Sequence, residues 1–363
     1  MTQKWRCQDG GFSMNFRGKC AAAFAGSIIL IKLPKGWHDI FRRRRHLRPV
    51  ALERALPLWG SEVFRVRFRA APVTLAKPAK PLGSACSSAP CLLAATSLCT
   101  CTRCTSSTGD RNDTRAAVRL LRDILRCRLL RHQDQVSYMA HQKWYLKENA
   151  FLGNRCKPSR ACSSTAFVGK VCRMASLHVA KVLRLSLRWA RPLLEDEDLD
   201  VQIIYMVRDP RAVFSSRARV DWCTSSTCRG IQTVCSLLGK DLAEAAALLQ
   251  EYPHRFMFVQ YEEMCQNMSA SLADMMDFLG LPVTDVQKNM LRYESPSTDP
   301  HTIAKNSLLQ AQLWRNLTSF EDIVVPVQDS CRASLEKLGL RIFSSYNELQ
   351  NLSVPALIRP PVP

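Results

Sequence analysis

The sequence predicts an α/β domain in which a central parallel sheet is flanked by helices. Three features indicate this class: a short buried strand at Val201–Val207, a long amphipathic helix at Ile231–Glu251, and a second buried strand at Phe256–Glu263. Strands joined by helices form βαβ units, which pair in parallel and are covered by helices on both faces. The two strands are therefore expected to lie in one parallel sheet.

The first strand leads directly into the start of a helix. Val201–Val207 is a β-branched and aliphatic run, and Pro210 prevents the strand from continuing. Asp209 and Pro210 suit the first positions of a helix. The turn brings Arg208 to the N-terminus of this helix, and Ser216 follows two helical turns later. A planar guanidinium, a hydroxyl and free backbone N–H groups at one place predict a phosphate site.

The same segment resembles the 3′-phosphate-binding segment of the Golgi carbohydrate sulfotransferases, especially the branch that sulfates the 6-hydroxyl of GlcNAc, galactose or GalNAc. The residues that carry the resemblance are Val207-Arg208-Asp209-Pro210-Arg211-Ala212-Val213 and Ser215-Ser216-Arg217. The resemblance implies the P-loop-like, three-layer sulfotransferase fold for residues 116–350. It also implies that Arg208 and Ser216 bind the 3′-phosphate of the sulfate donor, 3′-phosphoadenylyl sulfate (PAPS).

The implied function is transfer of a sulfuryl group from PAPS to a sugar hydroxyl of a glycan or proteoglycan in the Golgi lumen, with no metal. An inactive, sulfotransferase-like relic that binds nucleotide or glycan without catalysis is the alternative. A P-loop kinase or nucleotide hydrolase would need Gly-Xaa-Xaa-Xaa-Xaa-Gly-Lys-Ser/Thr, and the sequence does not contain that string.

The sequence assigns no catalytic base. The family carries an Arg-Xaa-Gly-Ser-Ser loop for the 5′-phosphosulfate and a Phe/Tyr-Glu-Pro-Leu motif whose Glu lies near the acceptor, and this sequence contains neither. Glu262 and Glu263 lie at the end of the second strand, and we interpret them as structural. Trp314 and Arg315 fit two interpretations equally: neighbours of the nucleotide, or a packing side chain and a surface cation.

Residues 66–115 form an anomalous stretch rich in Cys, Pro and Ser, with neither helical nor strand periodicity. If degenerate codons are read shifted back by one nucleotide, residues 68–77 permit Arg-Gly-Ser-Ser-Tyr-Thr-Gly-Glu and residues 95–101 permit Tyr-Glu-Pro-Leu. We hypothesise that this stretch is an out-of-frame translation of the donor-sulfate loop. Cys99, Cys101 and Cys104 give only a weak metal signal, because no second pair of ligands completes the set.

Residues 1–65 are predicted to be a basic, disordered extension. Residues 1–100 hold 17 Lys and Arg against 4 Asp and Glu, so most of the net charge of +20 lies there. A nucleic-acid partner would rest on this charge alone, and none is predicted. Cys20–Leu33 is shorter than the roughly 20 residues that span a bilayer, although it could be a signal-like core. The membrane anchor that the family implies is therefore not visible.

Sixteen cysteines favour an oxidising, secretory-pathway lumen. Four Asn-Xaa-Ser/Thr sequons give weaker support, at Asn112, Asn267, Asn316 and Asn351. Cys223 and Cys228 lie five apart in a Ser/Thr-rich loop, where a disulfide is plausible. A metal site there is less favoured because no histidine is near.

Three further helices are predicted at Ala116–Leu130, Lys181–Leu194 and Ser269–Leu279, the last capped by Ser269 and ended by Gly280. Residues 351–363 are rich in proline and are predicted to be a disordered tail. The acceptor sugar and the oligomeric state are not predicted.

Overall fold

The computed structural model describes residues 26–32, 111–141, 146, 149–156, 159–183, 185–219, 223, 226–292 and 306–362, together with the backbone of residues 63–69. Most of the anomalous stretch, residues 70–110, lies outside the described residues, and so do Cys99, Cys101 and Cys104. The fold below refers to the described residues.

The fold is built on a five-stranded sheet with the strand order β2-β3-β1-β4-β5. The strands are β1 (Gly26–Lys32), β2 (Val63–Arg69), β3 (Leu177–Leu183), β4 (Val201–Val207) and β5 (Phe256–Gln260). β2 is parallel to β3 and β4 is parallel to β5, whereas β1 is antiparallel to both of its neighbours. The predicted α/β class is confirmed. The sheet is mixed rather than wholly parallel, because β1 runs antiparallel to β3 and β4. β1 comes from a region in which no strand was predicted.

Helices surround this sheet. The α-helices are α1 (Arg111–Leu125), α2 (Gln133–His141), α3 (Ala150–Gly153), α4 (Thr165–Met174), α5 (Arg191–Leu194), α6 (Pro210–Ala218), α7 (Ser226–Arg229), α8 (Ile231–Glu251), α9 (Tyr261–Gln266), α10 (Met268–Phe278), α11 (Asp285–Arg292), α12 (Ser307–Gln312), α13 (Trp314–Leu317), α14 (Val325–Lys337) and α15 (Tyr346–Gln350). Short 3₁₀ turns at Ser159–Ser163 and Leu187–Trp189, and a π-helical turn at Phe320–Val324, complete the elements.

β4 is buried along its whole length between two apolar layers. Ile203 and Tyr205 face the layer that contains α8, and Ile204 and Met206 face the layer that contains α10. A strand that is buried on both faces needs an unbroken apolar run, which is the pattern that predicted it. The predicted strand at 201–207 is therefore confirmed.

β1 corrects the prediction that residues 1–65 are a disordered extension. The side chains of Ile28–Ile31 are buried, and the strand pairs with β3 on one side and β4 on the other. Gly26–Lys32, the described part of the segment Cys20–Leu33, lies at the centre of the sheet, and a signal-like role does not fit this part. Its apolar part, Ile28–Ile31, is a continuous run of four residues with no period that distinguishes a buried strand from another apolar segment, so the sequence alone did not reveal the strand.

The predicted helix at Lys181–Leu194 is wrong. Its first residues belong to β3, and the 3₁₀ turn at Leu187–Trp189 and the short helix α5 follow. In β3, Ala180 and Val182 are buried whereas Lys181 between them is half-buried, which is the alternation of a strand. The apolar spacing suited a helix locally, but pairing with β1 and β2 determines the conformation.

Helix α8 confirms the predicted helix Ile231–Glu251 at both ends. Helix α1 confirms the one predicted at Ala116–Leu130, although it begins and ends five residues earlier. Helix α10 differs at its cap. Asn267 is the N-cap, and its side-chain oxygen accepts a hydrogen bond from the backbone N–H of Ala270, so the predicted cap Ser269 lies inside the helix.

Four disulfides join elements of the described chain: Cys127–Cys172, Cys156–Cys162, Cys223–Cys228 and Cys235–Cys331. The pair Cys223–Cys228 confirms the predicted loop disulfide. Cys235–Cys331 links α8 to α14 across 96 residues of sequence. Cross-links of this kind stabilise a fold by restricting the unfolded chain, and the restriction is largest for long loops.

The C-terminal segment corrects the prediction of a disordered tail at 351–363. The backbone N–H groups of Ile358 and Val362 donate to the carbonyls of Gly339 and Lys337 at 2.9 and 2.7 Å. Gly339 has a φ of +64°, and a Cβ there would overlap the Arg359 backbone. The segment therefore lies against the end of α14, where only glycine allows this approach.

Candidate functional site

Arg208 lies at the carboxyl edge of the parallel β4–β5 pair, directly after β4 ends. Its guanidinium carbon is 4.6 Å from the centroid of the Tyr261 ring, and its Nη2 donates to the backbone oxygen of Gln310 at 3.3 Å. Its Nε lies 4.0 Å from Glu262 Oε1, and the side chain is 11% exposed. Ligands of open α/β sheets bind outside the carboxyl ends of the strands, so this guanidinium is in a position suited to an anionic ligand.

A buried ion pair fixes the start of α6. Asp209 is the N-cap and accepts the backbone N–H of Arg211 at 2.8 Å. The Asp209 carboxylate also accepts two hydrogen bonds from the Arg211 guanidinium, at 3.0 and 2.8 Å. Arg211 in turn donates to the side chain of Gln328 and the carbonyl of Arg341. Both charged side chains are fully buried, so the turn that presents Arg208 is anchored to α14 and the segment after it.

Ser216 is half-buried on α6, in the second turn after Arg208, as the sequence predicted. It is six residues beyond the start of the helix at Pro210, which corresponds to about 9 Å along the helix axis. The adjacent Ser215 is buried, and its Oγ has no hydrogen-bond partner within the described part of the chain. Arg208 and Ser216 thus belong to one strand–helix unit. Their binding roles stay a prediction.

Arg219 is a third polar group of this unit, and the sequence reasoning missed it. It is the C-cap of α6, it is exposed, and its backbone N–H donates to the carbonyl of Ser216 three residues earlier. Partial burial, and then the nearby charge of Arg208, lower the pKa of Arg219. Two guanidinium groups that repel each other favour an anion near them. The spacing of three residues from Ser216 on a helix could have indicated this position.

Glu262 is buried beneath Arg208. The predicted second strand stops at Gln260, and α9 carries both glutamates that follow it. Glu262 Oε1 accepts the backbone N–H of Asp209 at 3.1 Å, and its Oε2 has no hydrogen-bond partner among the described residues. Burial, and then the charge of Asp209, raise the pKa of Glu262 to about 7, although Arg208 acts in the opposite direction. Glu263 is exposed.

Trp314 and Arg315 are both buried, so Trp314 fits the packing interpretation, whereas Arg315 is not the surface cation of that alternative. Arg315 donates to the carbonyls of Leu349 at 2.7 Å and Asn351 at 2.8 Å. The Trp314 ring lies 5.2 Å from the Arg211 guanidinium. Arg315 therefore binds the C-terminal segment, and Trp314 packs against the Arg211 side chain at the start of α6. The Arg315 guanidinium is occupied by backbone carbonyls.

Cys127, Cys172 and His178 form a compact group whose ligand atoms lie within 4.8 Å of one another. The two sulfurs are bonded to each other as a disulfide, which removes both thiolates as metal ligands. Burial lowers the pKa of His178 to about 4, so its ring is neutral over the physiological range. Its Nε2 lies 3.0 Å from the carbonyl of Cys172. The group is a packed disulfide with a neutral histidine beside it.

Among the helices of the described residues, none has both the length and the apolar character needed to cross a membrane. The membrane anchor that the family resemblance implies is therefore not shown.

An arginine at the carboxyl edge of parallel strands, followed by a capped helix that carries a hydroxyl, is the arrangement expected of a phosphate site in an α/β domain. Residues 185–320 match the sulfotransferase domain family, and this stretch includes β4, α6, β5 and α9. This match confirms the resemblance and the fold class that the sequence predicted for this part of the chain.

Three relatives that the chain matches are carbohydrate sulfotransferases. Carbohydrate sulfotransferase 1 of Homo sapiens is 27% identical over 206 residues, which are 51% of this chain and 50% of the relative. Carbohydrate sulfotransferase 6 of Homo sapiens is 28% identical over 230 residues, 56% of this chain and 58% of the relative. Carbohydrate sulfotransferase 4 of Mus musculus is 29% identical over 214 residues, which are 52% of this chain and 55% of the relative. The chain spans about half the length of these relatives. No solved structure matches it.

Proposed function

We propose that this protein transfers a sulfuryl group from PAPS to a sugar hydroxyl, the 6-hydroxyl of GlcNAc, galactose or GalNAc in a glycan. The observation that carries the proposal is the position of Arg208 at the carboxyl edge of β4 and β5, within a matched sulfotransferase domain. The relatives are carbohydrate sulfotransferases, which supports a carbohydrate acceptor.

Arg208 and Ser216 hold the 3′-phosphate of the donor in this proposal. The guanidinium supplies charge and paired N–H donors, and the hydroxyl supplies one further donor. The anchored start of α6 keeps the two side chains at a fixed spacing, so little ordering is needed when the nucleotide binds. Arg219, exposed on the same helix, adds positive charge toward the same phosphate.

The reaction also needs groups at the 5′-phosphosulfate and at the acceptor. Sulfuryl transfer resembles phosphoryl transfer, in which an in-line displacement develops charge on equatorial oxygens and on the leaving group. A base must accept the proton of the sugar hydroxyl. Glu262 does not meet the geometric requirement, since it is buried behind Arg208, and the base stays unassigned.

We place the protein in the lumen of the Golgi. Four disulfides within the described residues favour an oxidising compartment. The three sequon asparagines whose side chains are described, Asn267, Asn316 and Asn351, are exposed, as glycan acceptors need to be. Enzymatic removal of N-glycans from the secreted or membrane fraction should lower the apparent mass.

The alternative is a relic that binds the nucleotide but does not catalyse transfer. The absence of the 5′-phosphosulfate loop motif from the sequence favours it. Incubation with PAPS labelled in the sulfate and with keratan- or chondroitin-type acceptors separates the two. Label in the glycan supports the enzyme. Binding of 3′-phosphoadenosine 5′-phosphate (PAP) with no labelled glycan on any acceptor supports the relic.

We further propose that residues 66–115 are an out-of-frame translation of the donor-sulfate loop. Sequencing the transcript from RNA across codons 60–116 tests this. A gained or lost nucleotide restores the Gly-Ser-Ser loop and the Glu-Pro-Leu motif and predicts an active enzyme. A transcript that encodes residues 66–115 in the present reading frame contradicts the frame hypothesis and favours the relic.

Replacing Ser216 with alanine should weaken PAP binding by about 1 kcal/mol, or about fivefold, because one neutral donor to the phosphate is lost. Titration calorimetry with PAP measures this. Ser330→Ala, which removes an exposed serine hydroxyl from α14, is the matched control and should leave the affinity unchanged. Equal affinities in both variants would remove Ser216 from the phosphate site.

A further inference from the structure

Glu262 occupies an unusual position for a carboxyl group. It is 6% exposed, yet one of its two oxygens has no hydrogen-bond partner among the described residues. The other oxygen accepts the Asp209 backbone N–H and lies 4.0 Å from Arg208 Nε. A buried carboxylate is costly unless a charge compensates it, and here the compensating charge is the guanidinium assigned to the donor phosphate. Glu262 and the phosphate therefore compete for the same cation.

We propose that Glu262 is a positioning residue that holds Arg208 in the free protein and takes up a proton from solvent when the donor's 3′-phosphate binds. The inference rests on the proposed function, because it takes Arg208 as the phosphate ligand. The proton goes to a carboxylate oxygen of Glu262, so the buried carboxyl becomes neutral as the phosphate dianion takes its place beside the guanidinium.

The charged groups that face Glu262 fit this exchange. Arg208 approaches from the end of β4 and Asp209 from the start of α6, where its carboxylate is already held by Arg211. Tyr261, on the same helix as Glu262, lies beneath the Arg208 guanidinium. Helix α12 contributes only a backbone carbonyl, since its sequence Ser307–Gln312 contains no charged side chain. No second cation within the described residues forms an ion pair with Glu262.

The free carboxyl is already close to neutralisation, since burial raises the pKa of Glu262 to about 7. A dianion near Arg208 adds negative charge and raises this pKa further. PAP binding therefore takes up a fraction of a proton at pH values between the pKa of Glu262 in the free protein and its pKa in the complex. By this linkage the affinity for PAP is greatest below pH 7 and falls as the pH rises through the two values. A rise of about one pKa unit on binding corresponds to a total loss of about tenfold.

Glu262→Gln isolates the effect. The Gln side-chain oxygen can still accept the Asp209 N–H, so the local fold is kept, but the side chain does not titrate. We expect the variant to bind PAP as wild type does at pH 6 and up to about tenfold more tightly than wild type at pH 8.5. A residue that only supports the fold would weaken binding at every pH when it is replaced. Thermal unfolding of the variant checks that it is folded.

The test is titration calorimetry with PAP at pH 7.5 in buffers of different ionisation enthalpy, which counts the protons taken up. Wild type and Glu263→Gln, a matched change of the exposed neighbour, should take up a similar fraction of a proton, and Glu262→Gln should take up less. Titration of the phosphate itself near pH 6 is common to all three proteins and cancels in the comparison. The same proton count in all three would overturn the inference alone. Failure of wild type to bind PAP would overturn the proposed function as well.

Discussion

Replacing Asp209 with alanine is expected to lower the free energy of unfolding by about 3–5 kcal/mol, because removal of one partner leaves a buried charge uncompensated. Arg211 would keep its hydrogen bonds to Gln328 and to the Arg341 carbonyl but lose both bonds to the carboxylate. The cap of α6 is lost in the same change. Denaturant unfolding of the purified protein measures the effect.

Asp285→Ala is the matched control for this change. The Asp285 side chain is 89% exposed and, among the described residues, its ion pair is with Lys288 in the next turn, so its loss should cost well under about 1 kcal/mol. Equal unfolding free energies for the two variants would show that the Asp209–Arg211 pair does not anchor the turn. The position of the turn that presents Arg208 would then need another explanation.

Replacing Arg208 with alanine should weaken PAP binding by about 1.5–3 kcal/mol, or about 10- to 150-fold, because a charge-assisted contact to the 3′-phosphate is lost. Titration calorimetry at low salt measures the change. The fold should tolerate it better than the loss of Asp209, because Arg208 reaches the surface and its removal also frees Glu262 to become neutral.

Arg332→Ala is the control for Arg208→Ala. Arg332 is an exposed arginine of α14 whose side chain is 56% exposed, so the variant removes the same charge from the net total. It should bind PAP as wild type does. An unchanged affinity in Arg208→Ala, in a protein that unfolds at the normal temperature, contradicts the assignment of Arg208.

The strand–helix unit that carries the site could be predicted because its signals are local. An unbroken apolar run, Asp209 and Pro210 fix β4 and the start of α6 within ten residues of sequence. The length of α8 could likewise be predicted from the apolar stripe along its own sequence. These elements depend little on which strand lies beside them.

Strands β1 and β3, both in the interior of the sheet, depend on partners far away in the chain. β1 is seven residues long, and its conformation is fixed by pairing with residues 177–183 and 201–207. β3 has a spacing of apolar residues that suits a helix as well as a strand, and tertiary pairing decides between them. Local pattern could not give either result.

The partners of the site residues were likewise beyond the sequence. The contact of Glu262 with Arg208 joins residues on two separate elements, and the occupied guanidinium of Arg315 depends on carbonyls more than 30 residues away. Arg219 is the exception, since its spacing from Ser216 on one helix was available from the sequence. Charge and spacing identified where an anion could bind, but only the packed structure shows which cations are already occupied.

The central claim is that a nucleotide 3′-phosphate binds at Arg208, and comparison of PAP with adenosine 5′-phosphate tests it most directly. The two ligands differ by the 3′-phosphate alone. Wild type should bind PAP more tightly by at least about tenfold, and Arg208→Ala should lose most of that difference. Equal affinities of wild type for the two nucleotides would contradict the assignment of this site.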